Sequence, residues 1–103
     1  MNIVAVCACP TGVAHTYMAK KALEQAAKKR GHTIKVEAQG ALGIENEITQ
    51  EEADNADIVI LAVEVGIAKR ERFDHRPKVN IPVQMAVKSP DKIIEKIEEK
   101  LKK

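Results

Sequence analysis

The stretch Cys9-Pro10-Thr11-Gly12-Val13-Ala14-His15-Thr16 follows an apolar run over residues 3–8 and precedes a long helical pattern, so it places a thiol at a strand-to-helix turn. Amides at the start of a helix lack intrahelical acceptors, and the helix dipole adds positive potential there. Such a turn lowers a thiol's pKa and attracts a phosphoryl group. Cys9 is therefore read as a phosphate-carrying nucleophile. Gly12 lets the backbone curl around an anion, and Pro10 fixes the exit from the strand. Because Pro10 has no N–H, the amide donors begin at Thr11 and run through Gly12, Val13, Ala14 and His15, with hydroxyls added by Thr11 and Thr16. Cys7, on the strand itself, shares a face with Ile3 and Ala5 and is read as an inert packing residue whose apolar surroundings raise its pKa.

Outward from this turn, residues 2–8 are nearly all apolar, as in a strand covered on both faces. Residues 13–30 carry Ala14, Met18, Ala22 and Ala26 at helical spacing, widened by Val13, Tyr17, Leu23 and Ala27, and close on Lys28, Lys29, Arg30 and a Gly31 cap. Residues 33–39 alternate Ile34, Val36 and Ala38 with Lys35, Glu37 and Gln39, which predicts an edge strand with one face wet or lightly covered. Thr49-Gln50-Glu51-Glu52 has the form of a capping box opening a short helix that ends near Asn55. Residues 57–63 are β-branched and aliphatic, as in a central parallel strand. Residues 64–78 are expected to form a functional loop with one helical turn, and residues 79–87, which include Pro82, a short edge strand. Ser89-Pro90 then opens a terminal helix with Ile93, Ile94, Ile97 and Leu101 inward and the pairs Glu98–Lys102 and Glu99–Lys103 outward. This order predicts an α/β fold with an open, mainly parallel four-stranded sheet flanked by helices. Right-handed crossovers make the first strand central and put Cys9 near the topological switch, where such sheets bind ligands.

The 103 residues, 45% hydrophobic, suit one domain spanning 1–103. A net charge of +2 from 17 basic and 15 acidic residues, with only Tyr17 and Phe73 aromatic, argues against stacking on nucleic acid bases. The longest apolar run, residues 58–63, is far short of the roughly 20 residues that span a bilayer, and Met1-Asn2 leads straight into a strand pattern, so a soluble cytoplasmic protein is expected. Cys7 and Cys9 do not form a C-x-x-C pair, no metal site is expected, and neither nucleotide-binding glycine motif is present. No cofactor is called for.

His15 stands six positions after Cys9, where a C-x5-R phosphatase loop carries its arginine. A neutral imidazole stabilises a phosphoryl transition state less than a fixed guanidinium, so the loop suits holding a phosphate and passing it on. His15 is then a donor or polar brace, or else a first-turn residue facing solvent. His32 and His75 are expected to face solvent. Lys69, Arg70, Arg72 and Arg76 either reach over the phosphate, face an acidic partner, or form a solvated loop.

With these residues in view, the chain resembles the fructose-type enzyme IIB component of the bacterial phosphoenolpyruvate-dependent sugar phosphotransferase system. The resemblance rests on the C-P-T-G-[IV]-A-H-T-[FY]-M-A signature at residues 9–19, on Glu37-Ala38-Gln39-Gly40, on the strand at residues 57–62 and on Arg72-Phe73. It implies a Rossmann-like or flavodoxin-like fold and a phosphotransferase with a phosphocysteine intermediate. A phosphohistidine on IIA would donate to Cys9, which donates to sugar, fructose by the resemblance, held by the membrane permease IIC. The phosphate loop maps onto residues 10–16. A carrier that must release after every transfer suits transient docking, so a monomer is expected, cytoplasmic and peripheral to the inner membrane through IIC. The rival readings are a low-molecular-weight cysteine phosphatase or arsenate reductase and a IIB-like regulatory module.

Overall fold

In the computed structural model, which describes residues 2–8, 13–40, 43–63 and 66–101 (of 13–15 the backbone), β1 (Asn2–Ala8) is sealed between parallel neighbours on both sides. The five-stranded sheet has the order β3-β2-β1-β4-β5, with β2 at Thr33–Gly40, β3 at Gly43–Glu45, β4 at Ile58–Val63 and β5 at Lys78–Ile81. All pairings are parallel except β2 with β3. The central position of β1 and the α/β class are as expected. The sheet has one more strand than the four expected, and β2 is therefore not an edge. β3 is only three residues long with Ile44 half-buried, so it pairs through its backbone and carries no hydrophobic alternation to mark it.

Successive strands are added first on one side of β1 and then on the other, so the connections change face where the direction reverses. Helix α1 (Val13–Lys29) joins β1 to β2 and packs with α3 (Val83–Lys88) and α4 (Pro90–Leu101). Their core against the sheet holds Ile3, Ala5 and Cys7 of β1, Ile58, Ile60 and Ala62 of β4, and Ile93, Ile94 and Ile97 of α4. The opposite core gathers Val4, Val6, Val59 and Leu61 with Ile48, Ala53 of α2 (Gln50–Asp54), Ala56 and Phe73. Phe73 closes a 3-10 turn (Arg70–Phe73) inside the β4–β5 connection, which replaces the helix usual in such crossovers.

Two further expectations are corrected by packing. The buried stripe of α1 is Thr16, Ala19, Leu23, Ala26 and Ala27, whereas Met18 is 52% and Tyr17 39% exposed. Alanines occupy both stripes, so periodicity alone does not choose between them. Turning the small residues inward brings the helix close over the sheet, with Leu23 as the one large filler. Residues 79–87 are not one strand: β5 ends at Ile81, Pro82 sits at the N-cap of α3, and Val83 and Ala86 are buried at helical spacing. Proline has no N–H for the ladder, and the apolar residues beyond it serve a helix instead.

The caps follow the sequence more closely. Thr49 and Glu52 form the reciprocal capping box of α2, Asn55 is its C-cap, and Gly31 takes φ +79 after α1. No helix among the described residues is long and apolar enough to cross a membrane. Lys102 and Lys103, the expected partners of Glu98 and Glu99, lie outside the described residues, and Glu98 has contacts beyond its own helix. It accepts from Arg30 Nε at 2.8 Å and pairs with His32, whose side chain is only 13% exposed rather than facing solvent. These contacts join α4 to the α1–β2 turn. His75 is exposed as expected and pairs with Asp54 at 2.7 Å.

The bonds from Arg30 and His32 hold the Glu98 carboxyl down at about 2, against an ordinary 4.5. A depressed carboxylate contributes stability in full above the unfolded value and loses it as pH falls from 4.5 toward 2. Urea titrations of Glu98→Gln should therefore show a deficit against the parent at pH 6 that shrinks steadily toward pH 2; a deficit constant with pH would contradict the contact.

Candidate active site

At the carboxyl edge of the sheet, Ala8 is registered between Gln39 of β2 and Val63 of β4. The chain continues from Ala8 into Cys9, Pro10, Thr11 and Gly12, which lie outside the described residues. It re-enters at Val13, the first residue of α1; the backbones of Val13, Ala14 and His15 form its first turn, and their side chains are not described. That turn carries no acidic side chain, so nothing there opposes an anion at the helix N-terminus. Thr16 is buried at the start of the inward stripe. Hence the strand ends at Ala8 and a 17-residue helix begins at Val13 on either side of the motif's first residues, and the predicted donors Thr11 and Gly12 lie outside the described residues.

Cys7 is the internal contrast. It is fully buried on the α1 side of the sheet, and desolvation pushes its thiol up to about 12, outweighing the favourable field of Lys20. This is the inert packing role expected of it.

The basic segment after β4 does something the sequence reading did not assign. Arg72 is buried and forms a two-pronged pair with Glu37 of β2, its Nη1 at 2.7 Å from Oε1 and its Nη2 at 3.0 Å from Oε2. Its remaining N–H groups reach the carbonyls of Lys69, Ile48 and Ala68, so all five donors have acceptors. The guanidinium also lies 4.7 Å from the Phe73 ring centroid. Burial alone would push the Glu37 carboxyl up. The bonds from Arg72, Gln39 and the Ile48 amide outweigh it and leave Glu37 below the ordinary value.

Gln39 completes the group. Its Oε1 accepts from the Ala68 N–H at 2.9 Å and its Nε2 donates to the Ala68 carbonyl at 3.1 Å, while the second Nε2 hydrogen goes to Glu37 at 2.6 Å. Lys69, next in the chain, is held in the left-handed region at φ +60 and pairs with Glu47 at 2.7 Å. A non-glycine residue there costs on the order of 1 kcal/mol, which the surrounding bonds offset. Arg76 bonds the Ala56 carbonyl before β4, at the opposite edge of the sheet, and Arg70 is exposed. The segment is therefore not a uniform solvated loop: Arg72 is committed to Glu37 and Arg76 to the Ala56 carbonyl.

Sequence reasoning missed Glu37 and Gln39 because it left their face wet. The available signal was their presence, with Arg72-Phe73, among the elements that carried the family resemblance. Among the described residues, no cluster of three or more His, Cys, Asp or Glu side chains is placed to hold a metal ion.

Two stability measurements test this arrangement. Cys7→Ser buries a hydroxyl in an apolar core and should cost about 1–3 kcal/mol in urea unfolding, while native Cys7 should resist iodoacetamide until the protein unfolds. Arg72→Met should cost about 3–5 kcal/mol by leaving Glu37 charged and unpaired. Adding Glu37→Gln should recover part of that loss, and strict additivity of the two substitutions would argue against the pair.

Comparison with known proteins bears on what such a site does. The family described as "PTS system, Lactose/Cellobiose specific IIB subunit" matches residues 4–96. The chain is 53% identical over 97 residues to "PTS system fructose-like EIIB component 2" of Escherichia coli K12, covering 94% of this chain and 92% of that protein. It is 45% identical over 98 residues to "PTS system fructose-like EIIB component 1" of the same strain, covering 95% and 91%. The solution structure of an enzyme IIB subunit of the PTS system from Escherichia coli K12 superposes with a TM-score of 0.91 at 44% identity, covering 97% of this chain and 93% of that one. With likeness along nearly its full length, the chain belongs to the IIB subunits of the sugar phosphotransferase system, phosphotransferases that act as phosphoryl carriers.

Proposed function

We propose that Cys9 is the phosphoryl-carrying nucleophile of this IIB subunit, and that the turn at residues 10–16 holds the phosphoryl group. The observation that carries the reading is the contrast between the two thiols. Cys7 is sealed beneath α1 with its pKa pushed up to about 12. Cys9 directly follows the central strand and precedes the amides and dipole of a long helix whose first turn lacks acidic groups. Those features favour a thiolate and a bound phosphate together.

The chemistry is two in-line displacements. The Cys9 sulfur attacks phosphorus of a phosphohistidine on IIA; the S–P bond forms as the N–P bond breaks, and the imidazole leaves with the electron pair. A sugar hydroxyl presented by IIC then attacks the same phosphorus, the O–P bond forms, the S–P bond breaks, and the hydroxyl proton passes to a base or solvent. A thiolate is both a competent nucleophile and a good leaving group, so one residue serves both steps. Amides of Thr11, Gly12, Val13, Ala14 and His15, with the hydroxyls of Thr11 and Thr16, share the charge on the equatorial oxygens.

Fructose or a close relative is the acceptor sugar, as the names of the curated relatives suggest. The partners dock transiently beside the turn. Exposed Met18 of α1 lines a groove with Val83, Gln84, Val87 and Lys88 of α3 that supplies an apolar contact. The protein works as a cytoplasmic monomer that meets the membrane only through IIC.

Incubation with phosphoenolpyruvate, the general phosphotransferase proteins and a fructose-type IIA, followed by peptide mass spectrometry, should add one phosphoryl group on Cys9. It should be lost on addition of IIC membranes and fructose. Cys9→Ser should abolish sugar phosphorylation with the fold intact, whereas Cys7→Ser should retain it. Sugar phosphorylation by Cys9→Ser at the parent's rate would overturn the assignment.

A further inference from the structure

We propose that Gln39 is a positioning residue for phosphoryl transfer, acting by clamping the segment at residues 66–69 across the carboxyl end of β1 from which Cys9 continues. The inference rests on the reading of Cys9 as the nucleophile. Its geometry comes from the register of the sheet. β1 lies between β2 and β4, and Ala8 is paired with Gln39 on one side and Val63 on the other. The reciprocal bonds between the Gln39 amide and Ala68 run from β2 to the segment that follows β4, so they pass over the end of the strand between them. Helix α1 covers the other face of β1, with Cys7 beneath it. The end of β1, from which Cys9 continues, therefore has α1 on one face and this clamp on the other.

The clamp is fixed more firmly than its apolar content explains. The segment offers the core only a half-buried Ile67 at its margin, and Gly66, Ala68 and Lys69 are exposed. What holds it is polar and saturated. Gln39 uses its oxygen and both amide hydrogens, Glu37 uses both oxygens, and Arg72 uses all five donors. Buried ion pairs contribute little net stability but impose geometry, and a fully satisfied network has one arrangement. The left-handed Lys69 persists between these bonds. An amide of this length fits, since its oxygen meets the Ala68 N–H and its nitrogen the Ala68 carbonyl at once. Asparagine is one methylene too short, and a carboxylate lacks the donor. A wall set in this way keeps the Cys9 turn in register with an incoming phosphorus, and small misplacement of reacting groups is costly in rate.

The test is steady-state and single-turnover transfer from phosphorylated IIA to the full chain carrying Gln39→Leu, with Gln39→Asn as a second variant should the first not fold. Amide hydrogen exchange is measured in parallel. The expected result is a ten- to hundredfold fall in kcat with KM for phosphorylated IIA within about twofold of the parent. The Ala68 amide should lose protection while the amides of β1 keep theirs. Parental kcat in a folded variant that has lost Ala68 protection overturns the inference. So does a kcat loss that tracks lost protection in β1, because the role would then be stability alone. Cys9→Ser is assayed alongside: transfer persisting there overturns the reading of Cys9 and this inference with it, whereas an inactive Cys9→Ser beside a fully active Gln39→Leu overturns only the positioning role.

Discussion

The two-sided burial of β1 is the constraint from which the rest of the structure follows. Residues 3–8 are sealed, and the strand is hydrogen-bonded in parallel to β2 and β4 along nearly its whole length. A parallel strand cannot be joined to its neighbour by a tight turn, so each addition to the sheet needs a crossover that covers a face. Growth in both directions from β1 puts α1 on one face and the α2 and 3-10 segments on the other. The chain leaving β1 thus emerges where the connections diverge, which is where an open α/β sheet has room for a ligand.

The two faces are held by different means. On the α1 side, alanines and aliphatic residues interlock, with α4 contributing Ile93, Ile94 and Ile97 and its Glu98 tied to Arg30 and His32. Removal of apolar area from water is sufficient there. Among the described residues, the opposite face has a five-residue helix and a single 3-10 turn to cover it, so Phe73 anchors the connection and Glu37, Arg72 and Gln39 set its path. Polar groups cost free energy when buried and contribute direction when satisfied. Among the described residues, the buried charged side chains are Glu37 and Arg72, paired with each other on this face.

Much of this was legible in the residues. The central strand, the long helix after the motif, the capping box at Thr49, the Gly31 cap and the terminal helix opening at Pro90 are local patterns with local causes. The mistaken expectations share one origin. β3 pairs only through its backbone, the stripe of α1 depends on which alanines the sheet admits, and the residues after Pro82 turn helical because they must reach α1 and β4. None of these is decided within a few residues of chain.

By itself, the sequence determined the α/β order, the placement of a thiol between a buried strand and a helix, and the family, because each is written in contiguous residues whose backbone preferences are short-range. The tertiary structure alone decided that Glu37, Gln39, Ala68 and Arg72 form one site. They are separated by up to 35 positions in the chain, and an alternating charged residue on a strand reads the same whether water or a buried guanidinium faces it. Only the fold of the β4–β5 connection back over β2 supplies the partner.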